Sequence, residues 1–410
     1  MWYPRLVTER LHRLLRGFPV VVLTGARQAG KTALLRHALP SFGYVSLDLP
    51  SLAAQAESEP DRFLRDHPRP LIVDEVQYAP GLFRHVKRAV DERRTEAGQL
   101  VLTGNQKLTL MREVSDSLAG RCAHIDLEPL SSAEIRAVAP FPAAELPAAL
   151  ARGFHPELWR RRDLDARDFH SSYLATYLQR DVRAILNVTS LRDFERFIRI
   201  AAARSGQLLN RSDIAKDVGV SVKTIGQWIS VLEASNQIVL LEPYYQNVAK
   251  RMVKSPKLYF GDPGLLCHLL GLDERSLEAS PYLGTIWETF LFAELRKHVA
   301  AQASPFTIWY YRDQRARKVD FVLEGGGELR LVGAKWTESP SPRDAATIHA
   351  IDDDLRGSSL RIKAGAHAIL CRTPHRFPVT PRVAATPYEG LAELLAPEPG
   401  AALPTAREPG

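Results

Sequence analysis

Hydrophobic positions in the first third of the chain form short unbroken runs separated by amphipathic stretches. Val20-Val21-Val22-Leu23, Leu71-Ile72-Val73 and Leu100-Val101-Leu102 are apolar throughout, as suits strands buried on both faces of a parallel sheet. Tyr44-Val45-Ser46-Leu47 and Ala123-His124-Ile125-Asp126 add two more strands. The intervening segments predict helices as far as Ala38, over Asp61 to His67 and over Leu82 to Arg93. Strand and helix in alternation predict a doubly wound α/β domain whose ligand sits at the carboxyl ends of its strands. Ahead of it, Arg5, Glu9, Arg10, Arg13 and Arg16 among leucines predict an amphipathic helix packed on this domain, with none of the features of a signal peptide.

The pattern changes after position 137. From Val138 to Gly153 the chain is rich in Ala and Pro, with Pro140, Pro142 and Pro147, and marks a domain boundary. Phe169 to Ala203 reads as helical, and Tyr173, Tyr177, Phe194 and Phe197 fall at core spacing. Ile214, Ala215 and Val218 then face inward on a short helix ending at Gly219. Ser221 caps a second helix with Ile225, Trp228, Ile229 and Leu232 inward. This spacing fits a helix-turn-helix, and Gln237 to Tyr245 fits the hairpin of a winged variant. Lys223, Thr224 and Gln227 would occupy the recognition face, followed by the basic run Lys250, Arg251, Lys254 and Lys257, suited to a DNA backbone. The last segment resumes α/β alternation. A helix from Leu283 to Val299 carries Glu288, and strands are expected at Thr307–Tyr311, Val319–Leu323, Leu329–Val332 and His367–Cys371, with a helix at Ala345–Leu355 before the last strand. The resulting organisation is 1–137, an α/β core; 138–205, linker and helical region; 206–265, winged helix-turn-helix; 280–395, a small α/β domain; and 396–410, a disordered tail.

Charge adds a direction to this picture. Lys and Arg number 54 against 47 Asp and Glu, giving +7 and making a polyanionic partner plausible. Cys122, Cys267 and Cys371 lie too far apart in sequence for a C-x-x-C, so neither a disulfide framework nor a zinc site is implied and a reducing cytoplasm is expected. No apolar run approaches the ~20 residues needed to span a bilayer.

The chemistry concentrates at Gly25-Ala26-Arg27-Gln28-Ala29-Gly30-Lys31-Thr32, which fits G-x-x-x-x-G-K-[ST] directly after a strand and before a helix. Such a loop turns backbone N–H groups onto phosphate oxygens, Lys31 adds a point charge, and the Thr32 hydroxyl can sit on Mg²⁺. The implied cofactors are ATP and Mg²⁺. Asp74-Glu75 follows Lys31 by 43 residues at a strand end, where Asp74 can hold Mg²⁺ and Glu75 can polarise water. Asn105, at the next strand end, is a candidate sensor competing with Thr103 and Gln106. Arg121 is a candidate arginine finger or sensor, although a helix-end arginine capping carbonyls reads equally well.

The stretches Gly25–Thr32, Asp74–Gln77, Leu102–Gln106 and Ser117–Arg121 resemble G-x-R-Q-x-G-K-T, D-E-x-Q, L-T-G-[SN]-Q and S-L-A-G-R of a prokaryotic family of AAA+-class P-loop ATPases. Leu174–Val182, Ser255–Gly264 and Trp287–Phe290 resemble its usual C-terminal companion domain of unknown function. This resemblance implies an ATPase, with a homo-oligomer or ring in which Arg121 acts across subunits. The terminal segment resembles the PD-(D/E)xK nuclease core, implying metal-binding and catalytic roles for Glu288, Asp320 and Lys335. Gly333 stands where that pattern has an acid, which argues against cleavage. The expected function is thus a Mg²⁺-dependent ATPase acting on DNA. The alternatives are a nucleotide-gated signalling or defence switch with protein partners, and an active nuclease in which Glu324 or Glu328 replaces the missing acid.

Overall fold

The computed structural model describes residues 1–104, 116–141, 143–178, 191–244, 255–302, 304–356 and 366–396, together with 110, 114, 182, 363 and 364. Asn105, Lys250, Arg251, Lys254 and the tail from 397 lie outside the described residues.

β1 (Val20–Gly25), β2 (Gly43–Ser46), β3 (Leu71–Asp74), β4 (Leu100–Thr103) and β5 (Cys122–Leu127) form a parallel sheet in the order β2-β3-β4-β1-β5. Packing on both faces explains the unbroken apolar runs. Val20 and Val22 join one hydrophobic cluster with Phe83 and Val86, whereas Val21 and Leu23 join another with Leu11 and Leu34. α1 (Thr8–Gly17) and α2 (Lys31–Ala38) supply the second cluster. α3 (Pro50–Ser58), α4 (Pro60–Asp66) and α5 (Leu82–Asp91) supply the first. This is the expected doubly wound α/β domain.

A helical region follows: α6 (Ser132–Arg136), α7 (Leu146–Arg152), α8 (Pro156–Arg160), α9 (Ala166–Tyr177) and α10 (Leu191–Ala203). Part of the Ala- and Pro-rich stretch is therefore helix. Pro147 falls in the first turn of α7, where its missing N–H costs nothing, and Leu146, Ala149 and Leu150 are buried. α11 (Arg211–Val218) and α12 (Val222–Ala234) meet at a left-handed turn on Gly219; Ser221 caps α12 as expected, and Asn210 caps α11. β6 (Ile238–Leu241) and β7 (Lys257–Phe260) then pair antiparallel, so Gln237 to Tyr245 supplies one strand of the expected hairpin and the second comes from farther along the chain.

Asp262 caps α13 (Pro263–Leu269), and α14 (Leu283–Gln302) runs through the interior with residues buried on all sides. Beside it lies a mixed sheet of β8 (Thr307–Arg312), β9 (Lys318–Gly325), β10 (Glu328–Ala334), β11 (Lys363–Ala364), β12 (His367–Cys371), β13 (Phe377–Thr380) and β14 (Val383–Pro387). Their order is β13-β14-β12-β10-β9-β8, with β11 beside β10 and α15 (Pro342–Arg356) following β10 in sequence. The sequence did not predict β13 and β14, because Val383-Ala384-Ala385-Thr386-Pro387 is weakly β-forming and owes its place to pairing with β12. Among the described residues, no helix is long and apolar enough to cross a membrane.

Candidate nucleotide site

The loop between β1 and α2 lies at the carboxyl end of the sheet. At Gly25 a side chain is excluded by the end of β5, since a Cβ would sit 2.2 Å from the Leu127 carbonyl oxygen. Gln28 takes a left-handed conformation within the loop. Lys31 is buried, and its ammonium donates to the carbonyls of Gly25 (2.9 Å) and Ala26 (3.0 Å). A cavity of about 560 Å³ opens beside the loop, lined by Trp2, Gly30, Lys31, Thr32, Pro156 and Arg160 among others. Trp2 stacks on His37 of α2 at 4.4 Å between ring centroids.

The acid pair ends β3 next to this loop. Asp74 is buried, and its Oδ2 accepts from Thr32 Oγ1 (2.8 Å) and from Tyr44 Oη (2.6 Å). Residues 42 positions apart are thus brought into one site. Tyr44, on the neighbouring strand β2, was not foreseen as a site residue. Its phenol pKa is pushed up to about 12 by burial and by Asp74, while the Arg36 guanidinium covers its ring at 4.2 Å. Glu75 has a left-handed backbone and accepts a hydrogen bond from Gln77 Nε2. Burial raises its pKa despite that bond and the nearby Lys31 charge, which makes it a stronger proton acceptor.

Arg5 was read from sequence only as part of an amphipathic helix, yet it braces the loop. It precedes α1, is buried, and donates to the carbonyls of Ala29 (2.8 Å) and Glu128 (2.6 Å) and to Glu134 Oε2 (3.2 Å). Glu134 also completes the capping box of α6 with Ser131. The next residue, Ser132, donates through N–H and hydroxyl to buried Glu294 of α14 (2.9 and 2.7 Å). Polar contacts therefore run from the loop to the C-terminal half.

Arg121 does not join this site within the chain. It precedes β5 at the opposite end of the sheet, with its guanidinium on both carboxylate oxygens of Asp91 (2.6 and 3.0 Å). The length of β1, about 20 Å for six residues, separates it from the loop.

On α12, Lys223 and Gln227 are exposed, whereas Thr224 serves the helix cap through Ser221. The basic run is not uniformly solvent-facing, because Lys257 is buried against Glu288. In the mixed-sheet domain Glu288 and Asp320 lie near each other, and burial followed by the Glu288 charge raises the Asp320 pKa. Lys335 is exposed enough to meet solvent, and its ammonium lies 3.7 Å from Asp344. Glu324 and Glu328 sit at the hairpin end of β9 and β10, about 13 Å along the strand from Asp320, and Glu328 is held by Arg330 (2.7 Å). Neither acid is placed to stand in at position 333. A separate cavity of about 790 Å³, lined in part by α7, α9 and α13, carries Arg167 and Arg275 beside Asp163 and Asp273.

Residues 17–136 match a family model described as an AAA domain. Residues 143–276 and 283–390 match two domains of unknown function, DUF8612 and DUF4143. Uncharacterized proteins of Mycobacterium bovis and Mycobacterium tuberculosis are 31% identical over 389 residues, covering 94% of this chain and 84% of theirs. The chain belongs to their family. Among solved structures, a Walker-type ATPase of Pyrococcus abyssi aligns at 16% identity and a TM-score of 0.43, over 64% of this chain and 94% of that one. The RuvB Holliday junction branch migration motor of Thermotoga maritima aligns at 17% and 0.29, over 57% and 88%.

The AAA-domain match supports a nucleotide-binding P-loop ATPase for this member of the family. A divalent ion fits the donor set at its acid pair. The Thr32 hydroxyl and the Asp74 carboxylate are hard oxygens at one point, and Mg²⁺ takes few protein oxygens beside phosphate and water.

Proposed function

We propose that this chain is a Mg²⁺-dependent ATPase that acts on DNA, organised as 1–137, 138–205, 206–265 and 280–395. The observation that carries the reading is the convergence of Lys31, Thr32 and Asp74 at the carboxyl edge of the sheet, with Glu75 adjacent. Thr32 and Asp74 would hold Mg²⁺, which when bound neutralises phosphate charge. Lys31 exchanges its loop carbonyls for phosphate oxygens, where its charge is not shared with a neutral partner. Glu75 orients the attacking water and receives its proton. Trp2 and Pro156 offer an apolar wall for the base.

We read α11, α12 and the β6–β7 hairpin as a winged helix whose exposed Lys223 and Gln227 face DNA, with Lys250 and Arg251 on the phosphate backbone. Arg121 cannot reach its own phosphates, so we assign it to a neighbouring copy in a homo-oligomer, where it would exchange Asp91 for phosphate. The mixed-sheet domain serves as a non-cleaving scaffold. The test is ATP turnover by wild type and Lys31→Ala with single-stranded, duplex and branched DNA over a range of salt. Turnover that DNA stimulates and Lys31→Ala abolishes supports the proposal, together with DNA affinity that falls with salt and in Lys223→Glu. Turnover without measurable DNA affinity at low salt would favour a nucleotide-gated switch with protein partners.

A further inference from the structure

Lys257 comes from β7, outside the mixed sheet, yet its ammonium pairs with Glu288 of α14, which packs beside that sheet. It is 4% exposed. Its ammonium is 2.8 Å from Glu288 Oε1 and 3.2 Å from Tyr259 Oη. The Tyr259 and Tyr310 rings lie 5.8 and 5.5 Å from it, within the range of cation–π attraction. Glu288 comes from α14 and Asp320 from β9, while Asp320 Oδ2 accepts from the Ala334 N–H (2.9 Å). The largely exposed Lys318 ammonium lies 4.0 Å from Asp320 Oδ1, and Lys257 acts on Asp320 through its charge.

We propose that Glu288 and Asp320 form a cation site whose permanent occupant is the Lys257 ammonium, so that the wild-type domain takes no divalent metal there. Two carboxylates only 13% and 15% exposed need a counter-charge, and a lysine held at hydrogen-bond distance from Glu288 supplies it without a hydration shell to accommodate. The walls suit an ammonium, with two aromatic rings and a phenol oxygen. Among the described residues no group of three His, Cys, Asp or Glu side chains is arranged to hold a metal. The same contact latches the β6–β7 hairpin to α14. This inference concerns the C-terminal half and does not rest on the ATPase reading.

Lys257→Met keeps the length of the side chain and removes its charge, leaving the carboxylates to recruit a cation from solution. The test is Mn²⁺ titration of the full chain without nucleotide, followed by electron paramagnetic resonance and by thermal melting. Only the signal removed by Asp320→Asn is counted, which subtracts any ion at Asp74. Wild type should bind no Mn²⁺ of this kind. Lys257→Met should gain one Mn²⁺ per chain and melt at higher temperature as Mn²⁺ is added, and Lys257→Met/Asp320→Asn should lose both effects. Asp320-dependent Mn²⁺ binding by wild type would overturn the proposal, as would a folded Lys257→Met that binds none. If Lys257→Met does not fold, Lys257→Gln, which retains a hydrogen-bond donor, carries the same test with the same outcomes.

Discussion

Replacing Glu134 by Gln strips one charge from a buried pair while keeping its shape. Arg5 and Glu134 side chains are 4% and 5% exposed, so the guanidinium left behind has little access to water. Removing one partner of such a pair costs about 3–5 kcal/mol. Arg5 keeps its bonds to the Ala29 and Glu128 carbonyls, which places the cost near the lower end, about 3 kcal/mol. With a urea dependence of about 2 kcal/mol per M for a unit of this size, the midpoint should fall by about 1.5 M. A chain of several units does not unfold as one, so the readout is hydrogen exchange of the β1 and β4 amides across a urea series. A shift below about 0.3 M would refute the claim that the pair is buried and uncompensated. The double variant Arg5→Met/Glu134→Leu removes both charges and should recover most of the stability. It should still bind nucleotide about tenfold more weakly, because Ala29 loses its charge-assisted brace. Recovery of both properties would show that Arg5 matters only as a charge.

Three shorter predictions concern neighbouring residues. Between pH 8 and 10.5 the Tyr44 ring resonance should stay fixed while exposed tyrosines titrate, since its pKa is held near 12 and the neutral phenol persists throughout. In Asp74→Asn it should begin to move within that range, and a wild-type Tyr44 titrating near 10 would contradict the contact. Gly25→Ala should lose soluble yield and nucleotide binding together, because its methyl would meet the Leu127 carbonyl, and wild-type-like binding would count against this packing. Plasmid incubated with wild type and Mg²⁺ or Mn²⁺ should stay intact, and cleavage that vanishes in Asp320→Ala would disprove the non-cleaving scaffold.

The strands and the loop were legible because their signals are local. A run such as Val20–Leu23 declares two-sided burial, and glycines with Lys31 and Thr32 declare a phosphate loop within eight residues. Asp74 was legible through its position at a strand end. Tyr44 was not, because its role comes from the pairing of β2 with β3, which brings Ser46 beside Asp74 and Tyr44 within reach. Arg5 resembled any arginine of an amphipathic segment until its partners 24 and 129 residues away were seen. Lys257 misled for the same reason: in sequence it closes a basic run, whereas in the fold it is the one described member of that run, and it is buried on Glu288. The element order of the mixed sheet was largely readable, but its edge strand β13 and the neighbouring β14 owe their formation to neighbours rather than composition.

The most direct test of the central claim is to incubate wild type, Glu75→Gln and Lys31→Ala with doubly labelled ATP and Mg²⁺, then separate bound from free nucleotide. Wild type should release phosphate over many turnovers. Glu75→Gln, with Asp74 and the loop intact, should retain unhydrolysed ATP, and Lys31→Ala should retain none. Wild-type turnover in Glu75→Gln, or ATP retained and hydrolysed by Lys31→Ala, would contradict that claim.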